Sequence, residues 1–331
     1  MNDSLEFRRP IFRSWGCPII LFLLIGPIVL IFLFLSRMEK VRKPVYSEKL
    51  GFPRTLKPVG GKSVTILANP VRIVAANTGA ADILSELIQP SRFAAIPVQV
   101  EDYAADPEFW KRNADIPRFE KFHAENILGY RPDLVISSAF QDSSAAAAIE
   151  RQHVPILYLN DFESLDGIRG AITTIGDAVG RGAQAQVIIS DFDSRLQTVA
   201  NALHGTTQVP LVIYSNFGTG YTVGSGVCQD DIITRAGGLN VAAAKGLKGN
   251  APITFEQLLR MDPEFIVVTG DDGLNSAQAK LLLNETLLQG LNAVKNRRIA
   301  VVHQRYFDAL SQYAVRAVEE LAQQLHPGIK W

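Results

Sequence analysis

The sequence predicts an α/β protein: two Rossmann-like lobes with mostly parallel sheets, joined by one long α-helix and preceded by one transmembrane helix. Three observations carry this. Short apolar runs alternate with helical patterns over residues 71–159 and again over 211–302. Between them, residues 164–203 hold no strand pattern. And one phrase occurs twice. Glu125-Asn126-Ile127-Leu128 leads to Pro132-Asp133-Leu134-Val135-Ile136, and Glu256-Gln257-Leu258-Leu259 leads at the same spacing to Pro263-Glu264-Phe265-Ile266-Val267. Each copy reads as a glutamate, a short apolar helix, a proline stop and a buried strand. The two copies point to two similar lobes with one glutamate at an equivalent place on each. Paired, equivalent charges are what a partner with twofold symmetry can grip. Helix–proline–acid–strand is also a common α/β connection, so a purely structural reading stays open.

The chain of 331 residues is long enough for two lobes with sizeable cores. Lys+Arg and Asp+Glu are equal at 33 each, so there is no basic footprint for nucleic acid. After a flank at 1–17, residues 18–36 form the predicted anchor; 18–35 carry no charge. That length suits a membrane-spanning helix better than a buried core helix. It exceeds the apolar part of a cleaved signal, and no small-x-small site follows; a cleaved signal peptide is the alternative. Pro27 after Gly26 is a kink that membrane helices tolerate. Cys17 precedes the apolar run instead of following it, which argues against a lipoprotein anchor. Arg8, Arg9 and Arg13 lie before the run and Arg37, Lys40, Arg42 and Lys43 after it. The positive-inside rule therefore chooses no side and, taken literally, leans toward a cytoplasmic C-terminal part. Cys17 and Cys228, the only cysteines, lie too far apart in the predicted organisation to pair, and do not report the compartment.

Residues 37–62, with Pro44, Pro53, Pro58 and Gly60-Gly61, read as a tether ending in a turn. Residues 63–67 alternate like a strand and pair with those around Thr55. The N-terminal lobe, 63–163, has strands at 72–76, 93–96, 134–137 and 155–159, with helices from a Thr78 cap to Ile88, at 125–130 and at 143–152. Linking helices fill 164–205, divided by Gly180 and Gly182. Ile188, Phe192, Leu196, Val199 and Leu203 share one helical face. A helix over 183–203 is about 30 Å long, enough to bridge two lobes. The C-terminal lobe, 206–331, has strands at 211–215, 265–269 and 298–302 and helices at 230–236, 255–260, 277–283 and 309–325.

The chain resembles a known family over residues 52–325. The carriers are Arg72-Ile73-Val74, Arg131-Pro132-Asp133-Leu134-Val135-Ile136, the long mid-chain helix, Ala236-Gly237-Gly238-Leu239-Asn240, and Thr254-Phe255-Glu256-Gln257-Leu258-Leu259. In order and spacing they resemble the periplasmic substrate-binding proteins of ABC importers for vitamin B12 and ferric siderophores, the class with a helical backbone between lobes. The resemblance implies a protein with no catalytic role and no intrinsic cofactor. It would capture a ferric siderophore or cobalamin, with haem a further candidate, and deliver it to an ABC permease dimer. It also implies a monomer whose soluble domain is extracytoplasmic, and that Glu125 and Glu256 meet arginines of the two permease subunits. An Arg–carboxylate pair at a rim steers encounter and fixes register. The plain alternative is two solvated first-turn glutamates that favour the helix dipole. The chain departs from the family in keeping a helix anchor, and in ending its first strand with Ala75-Ala76-Asn77-Thr78 where serine and proline are usual. This leaves the ligand class open.

Ligands of open α/β lobes sit beyond the carboxyl ends of strands. On that rule the candidate ligand residues are Asn77, Thr78, Tyr103, Phe140, Phe217, Tyr221, His303, Arg305 and Tyr306. Phe109, Trp110 and Phe140 read equally well as core. Arg305 and Arg118 suit anionic groups. His123 near Glu125 has no third ligand beside it, so no metal site is expected. Gly218-Thr219-Gly220-Tyr221-Thr222-Val223-Gly224 superficially matches a dinucleotide loop, but its third glycine is one place late and Val223 opens no helix. Gly224-Ser225-Gly226 is no nucleophile elbow. Two alternatives remain: a membrane-anchored ligand sensor on the same fold, and, more remotely, a nucleotide-dependent enzyme.

Overall fold

The N-terminal arm is a hairpin. In the computed structural model, β1 (Arg54–Leu56) pairs antiparallel with β2 (Val64–Ile66), and the hydroxyls of Thr55 and Thr65 meet at 2.9 Å. The described residues are 51–331 except 60, 139–141 and 217. The predicted anchor at 18–36, most of the tether, and the candidates Phe140 and Phe217 lie outside them. No helix among the described residues is long and apolar enough to cross a membrane.

The N-terminal lobe follows. β3 (Ile73–Ala75) leads to α1 (Thr78–Leu87), β4 (Phe93–Pro97), α2 (Val100–Tyr103), α3 (Pro107–Arg112) and β5 (Arg118–Phe119). Then come α4 (Ala124–Gly129), β6 (Leu134–Ser138), α5 (Ser143–Glu150) and β7 (Ile156–Leu159). The strands form one parallel sheet in the order β5-β4-β3-β6-β7. Leu134 and Ile136 pack on one face, and Val135 packs with Ile127, Ala145 and Ile149 on the other. Both faces are covered, which is why these strands read as unbroken apolar runs. Thr78 was expected to cap α1, but Asn77 does so: it is extended (φ −146°) and its side chain accepts from Ala80 N at 2.8 Å. An extended residue can fold its side-chain oxygen back onto the first turn, and Thr78 is already helical.

Two helices link the lobes: α6 (Leu165–Ala178) and α7 (Gly182–Ala202). Ala185, Ile189, Phe192, Leu196 and Val199 are the buried face of α7, so Ile189 takes the place expected of Ile188. Arg169 of α6 donates twice to one oxygen of Asp193 of α7, at 2.9 and 2.7 Å.

The C-terminal lobe contains β8 (Val209–Ile213), β9 (Ser215–Asn216), β10 (Gly220–Val223), α8 (Cys228–Arg235), β11 (Gly238–Asn240), α9 (Val241–Ala244) and β12 (Asn250–Pro252). It continues through α10 (Phe255–Met261), β13 (Phe265–Thr269), α11 (Ala277–Asn284), α12 (Asn292–Lys295), β14 (Ile299–Val302), α13 (Gln304–Phe307) and α14 (Ala314–Leu325). A parallel sheet runs β11-β8-β13-β14, and a small antiparallel one runs β12-β10-β9. The closing helix starts five residues later than expected, because 311–313 turn to meet the N-terminal lobe.

The repeated phrase is a repeated structure. Arg131 (φ 50°) and Asp262 (φ 39°) both take the left-handed conformation that ends their helix just before the proline. Asp133 N donates to Arg72 O and Glu264 N to Pro210 O, both at 2.9 Å. Each therefore seats its strand beside the lobe's opening strand. One apolar core unites the lobes: Leu134 and Leu157 of one sheet, Leu211 and Val267 of the other, and Ile172, Phe192 and Leu321 of the helices belong to it.

Candidate functional site

Strand order places a crevice in each lobe. From β3 and β6 the first sheet winds outward in opposite directions, so the gap between their carboxyl ends, at Asn77 and Ser138, is a topological switch point. In the second sheet the same gap lies between β8 and β13, at Ile213 and Thr269.

A recess of ≈ 330 Å³ occupies the second switch point. Its polar lining is Ser215, Thr222, Gln229, Asn250, Thr269 and Asp308. Ile213, Val223 and Phe307 are its apolar walls, with Tyr221 at 39 % exposure also lining it. Gln229 Nε2 donates only long hydrogen bonds, to Phe307 O at 3.5 Å and Asp308 Oδ1 at 3.3 Å. Burial raises the Asp308 carboxyl above its ordinary range although one face stays open, while Gln229 and Gln304 pull it down. Thr222 is buried and its Oγ1 has no hydrogen-bond partner.

The glycine-rich run that borders the recess is strand β10, followed by α8 only at Cys228, so no phosphate-cradling loop forms. Its glycines answer a different need. A Cβ on Gly220 would stand 2.5 Å from Ile253 O, and one on Gly224 2.2 Å from Leu247 O, so the neighbouring backbone excludes any side chain.

The other sequence candidates fall into three groups. Tyr103 is exposed at the end of α2, and Asn77 and Thr78 are half-buried at the first crevice. His303, Arg305 and Tyr306 are held by protein partners. His303 Nδ1 lies 3.2 Å from Glu320 Oε1. The Tyr306 hydroxyl accepts from Arg316 at 3.0 Å, and the same guanidinium stands over its ring. Arg305 donates across the lobes to Ala104 O at 2.9 Å and Glu101 O at 3.3 Å. Arg118 likewise meets backbone carbonyls, at Ala114, Ile116 and Trp110, and the Glu101 carboxylate at 2.9 Å. Trp110 is core, packed edge-on against Phe93 and Phe109.

Arg305 belongs to a polar seam between the lobes that sequence reasoning missed. Its centre is Asp82, on α1 and only 2 % exposed. Asp82 Oδ2 accepts from Ala105 N at 3.2 Å and from Ser311 Oγ, across the seam, at 3.4 Å. Gln312 Nε2 donates to Asp82 O at 3.0 Å and Glu86 Oε1 at 3.1 Å. Trp110 Nε1 is near enough to lower the carboxyl's pKa, yet neither it nor Asp82 Oδ1 completes a hydrogen bond. Burial dominates and pushes the Asp82 carboxyl up to about 7. Burial and Glu86 also raise the Tyr313 hydroxyl well above its usual range.

Glu125 and Glu256 occupy matching places: each is the second residue of its helix and exposed. Neither has an ion-pair partner among the described residues. Thr254 and Gln257 close a capping box around Glu256, so the helix end is satisfied without it.

A profile of the family described as "Periplasmic binding protein" matches residues 73–306. A cobalamin-binding protein of Halobacterium salinarum is 24% identical over 274 residues, covering 82% of this chain and 73% of that one. YvrC, an ABC transporter substrate-binding lipoprotein of Bacillus subtilis, is 23% identical over 283 residues, covering 83% and 86%. Among solved structures, the periplasmic haem-binding protein RhuT of Roseiflexus superposes with a TM-score of 0.67 at 22% identity, over 77% of this chain and 98% of that one.

Proposed function

The chain belongs to the periplasmic binding protein family, and from its two crevices and paired glutamates we propose that it is the substrate-binding component of an ABC importer. It takes an iron chelate or corrinoid between the lobes and hands it to a membrane permease dimer. The observation that carries this is the equivalence of Glu125 and Glu256: two exposed carboxylates, without an ion-pair partner among the described residues, on matching helices of structurally repeated lobes. Similarity to a cobalamin-binding protein and to an ABC substrate-binding lipoprotein supports the same reading. Residues 18–36 act as an anchor that keeps the domain near the permease on the extracytoplasmic side, with 37–62 as the tether. The ligand meets Asn77 and Thr78 on one lobe and the Tyr221 recess on the other, with Tyr103 at the rim.

Charge reversal tests the docking. In Glu125→Lys/Glu256→Lys, ligand affinity measured by calorimetry stays within about twofold, while uptake by cells carrying the cognate permease falls at least tenfold, about 1.4 kcal/mol of lost docking. Uptake unchanged by the double reversal favours the sensor reading.

A further inference from the structure

The recess at the second switch point holds hydroxyls, carboxamides and one carboxylate, and no lysine, arginine or histidine. The cations nearest Asp308 along the chain are Arg305 and His303. Those two are already held, Arg305 by the carbonyls of Ala104 and Glu101 and His303 by Glu320. A ligand carboxylate or phenolate placed here would meet a carboxylate with no cation in the recess lining to offset it, and like charges at short range in a partly desolvated site repel strongly. Carbonyl and amide groups have what they need. The Ser215 hydroxyl and the Asn250 amide have no side-chain partner among the described residues, and Gln229 is held only by long bonds. Asp308 accepts N–H donors and attracts positive charge.

We infer that this recess is a charge filter: Ser215, Gln229, Asn250 and Asp308 receive the amide- or carbonyl-bearing edge of a neutral or cationic chelate and reject anionic ones. The inference rests on the binding-protein reading and narrows it. Uncharged or cationic corrinoids and ferric trihydroxamates are accepted; haem, with two propionates, and ferric tris-catecholates are not.

The test is calorimetric titration of the full chain with probes matched in size and differing in charge. Cyanocobalamin is paired with its monocarboxylate, in which one peripheral amide is hydrolysed, and a cationic ferric trihydroxamate with an anionic ferric tris-catecholate. Haem is the fifth probe. The neutral or cationic member of at least one pair binds, and its anionic partner and haem bind at least tenfold more weakly. Asp308→Asn narrows that gap at least threefold. Thr222→Val, which removes the orphaned hydroxyl at the recess wall and keeps its shape, leaves the melting temperature unchanged or raised, so it serves as a folding control beside Asp308→Asn. Haem or an anionic chelate binding as tightly as a neutral one overturns the inference and leaves the binding-protein reading standing. So does a gap unaltered by Asp308→Asn. Failure of every probe to bind a folded sample overturns both.

Discussion

Asp82 makes the interlobe seam sensitive to pH, and the effect is large enough to measure. Its carboxyl lies between α1, the start of α3 and the 311–313 turn, facing Ala105, Trp110 and Ser311, with Glu86, Asp106 and Tyr313 also around it. Among the described residues no cation reaches it, and the hydrogen bonds from Ala105 and Ser311 only partly offset the desolvation of its charge. The folded protein holds the proton until about pH 7, and the unfolded chain releases it near 3.8. Between these values the native state binds the extra proton, so stability falls as pH rises; the contribution is complete below about 4 and gone above 7. About three pH units at ~1.36 kcal/mol each give ~4 kcal/mol. Asp82→Asn removes the ionisation and keeps one carbonyl acceptor for Ala105 N and Ser311. Urea unfolding of both proteins between pH 4.5 and 8.5 isolates this one group, because other titrations cancel in the difference. The variant's stability relative to the parent rises with pH by ~3 kcal/mol across that span, the first ~1 kcal/mol having been lost below pH 4.5, and nearly the whole rise lies below about pH 7.5. A difference that stays flat within ~1 kcal/mol means that Asp82 remains charged in the fold, and the seam account fails.

Three further outcomes follow from single features. The Cys228 thiol, buried and pushed up to about 12, stays protonated at neutral pH. Ellman's reagent at pH 8 therefore labels it at least a hundredfold more slowly in the native protein than in urea, and equal rates would show that it is accessible. Deleting residues 1–45 leaves a folded domain that binds ligand as the full chain does. The full chain sediments with membranes and the deletion does not; a shortened chain that still pellets with membranes contradicts the anchor. Replacing Gly224 with Ala destabilises the protein by more than 2 kcal/mol in urea unfolding, since a Cβ 2.2 Å from Leu247 O forces β10 and the 247–249 segment apart.

The fold was legible where burial is continuous along the chain. β6 and β13 are apolar without a break because both faces are covered, and their shared proline stop marks the same left-handed turn in each lobe. The long helix was legible because its buried residues recur every three or four positions. Two kinds of feature were not. Asp82 sits in a run, Ala80-Ala81-Asp82-Ile83-Leu84, where an acid looks like the wet face of an amphipathic helix. It is buried by Ser311 and Gln312, 229 and 230 residues away, and nothing local announces that. The recess likewise gathers Ser215, Thr222, Asn250 and Asp308 from four separate segments. Only Tyr221 was anticipated, and the alternating Tyr221-Thr222-Val223 between glycines was the available signal for a strand with one side turned to the recess.

The seam and the shared core together decide how far the lobes can move. Opening them breaks the two Arg305 bonds, the two from Gln312 and the contact between Ser311 and Asp82. At ~0.5–1.5 kcal/mol each, these five hold the lobes with roughly 2.5–7.5 kcal/mol. A wide hinge also has to uncover apolar side chains that both sheets share with α6, α7 and α14, and Arg195 of α7 is tied to Glu319 of α14 with its Nε at 2.8 Å. A ligand can supply only its difference in affinity for the two arrangements, so closure on binding is a small shear and not a clamp. Solution scattering on the domain with and without saturating ligand gives radii of gyration within ~0.5 Å of each other, against about 19 Å expected for a body of this length. Arg305→Ala/Gln312→Ala leaves that radius unchanged in the bound form and speeds hydrogen exchange at 101–105 and 310–313. A ligand-induced contraction of several ångströms in the parent protein means that the seam opens far more easily than five hydrogen bonds and a common core allow.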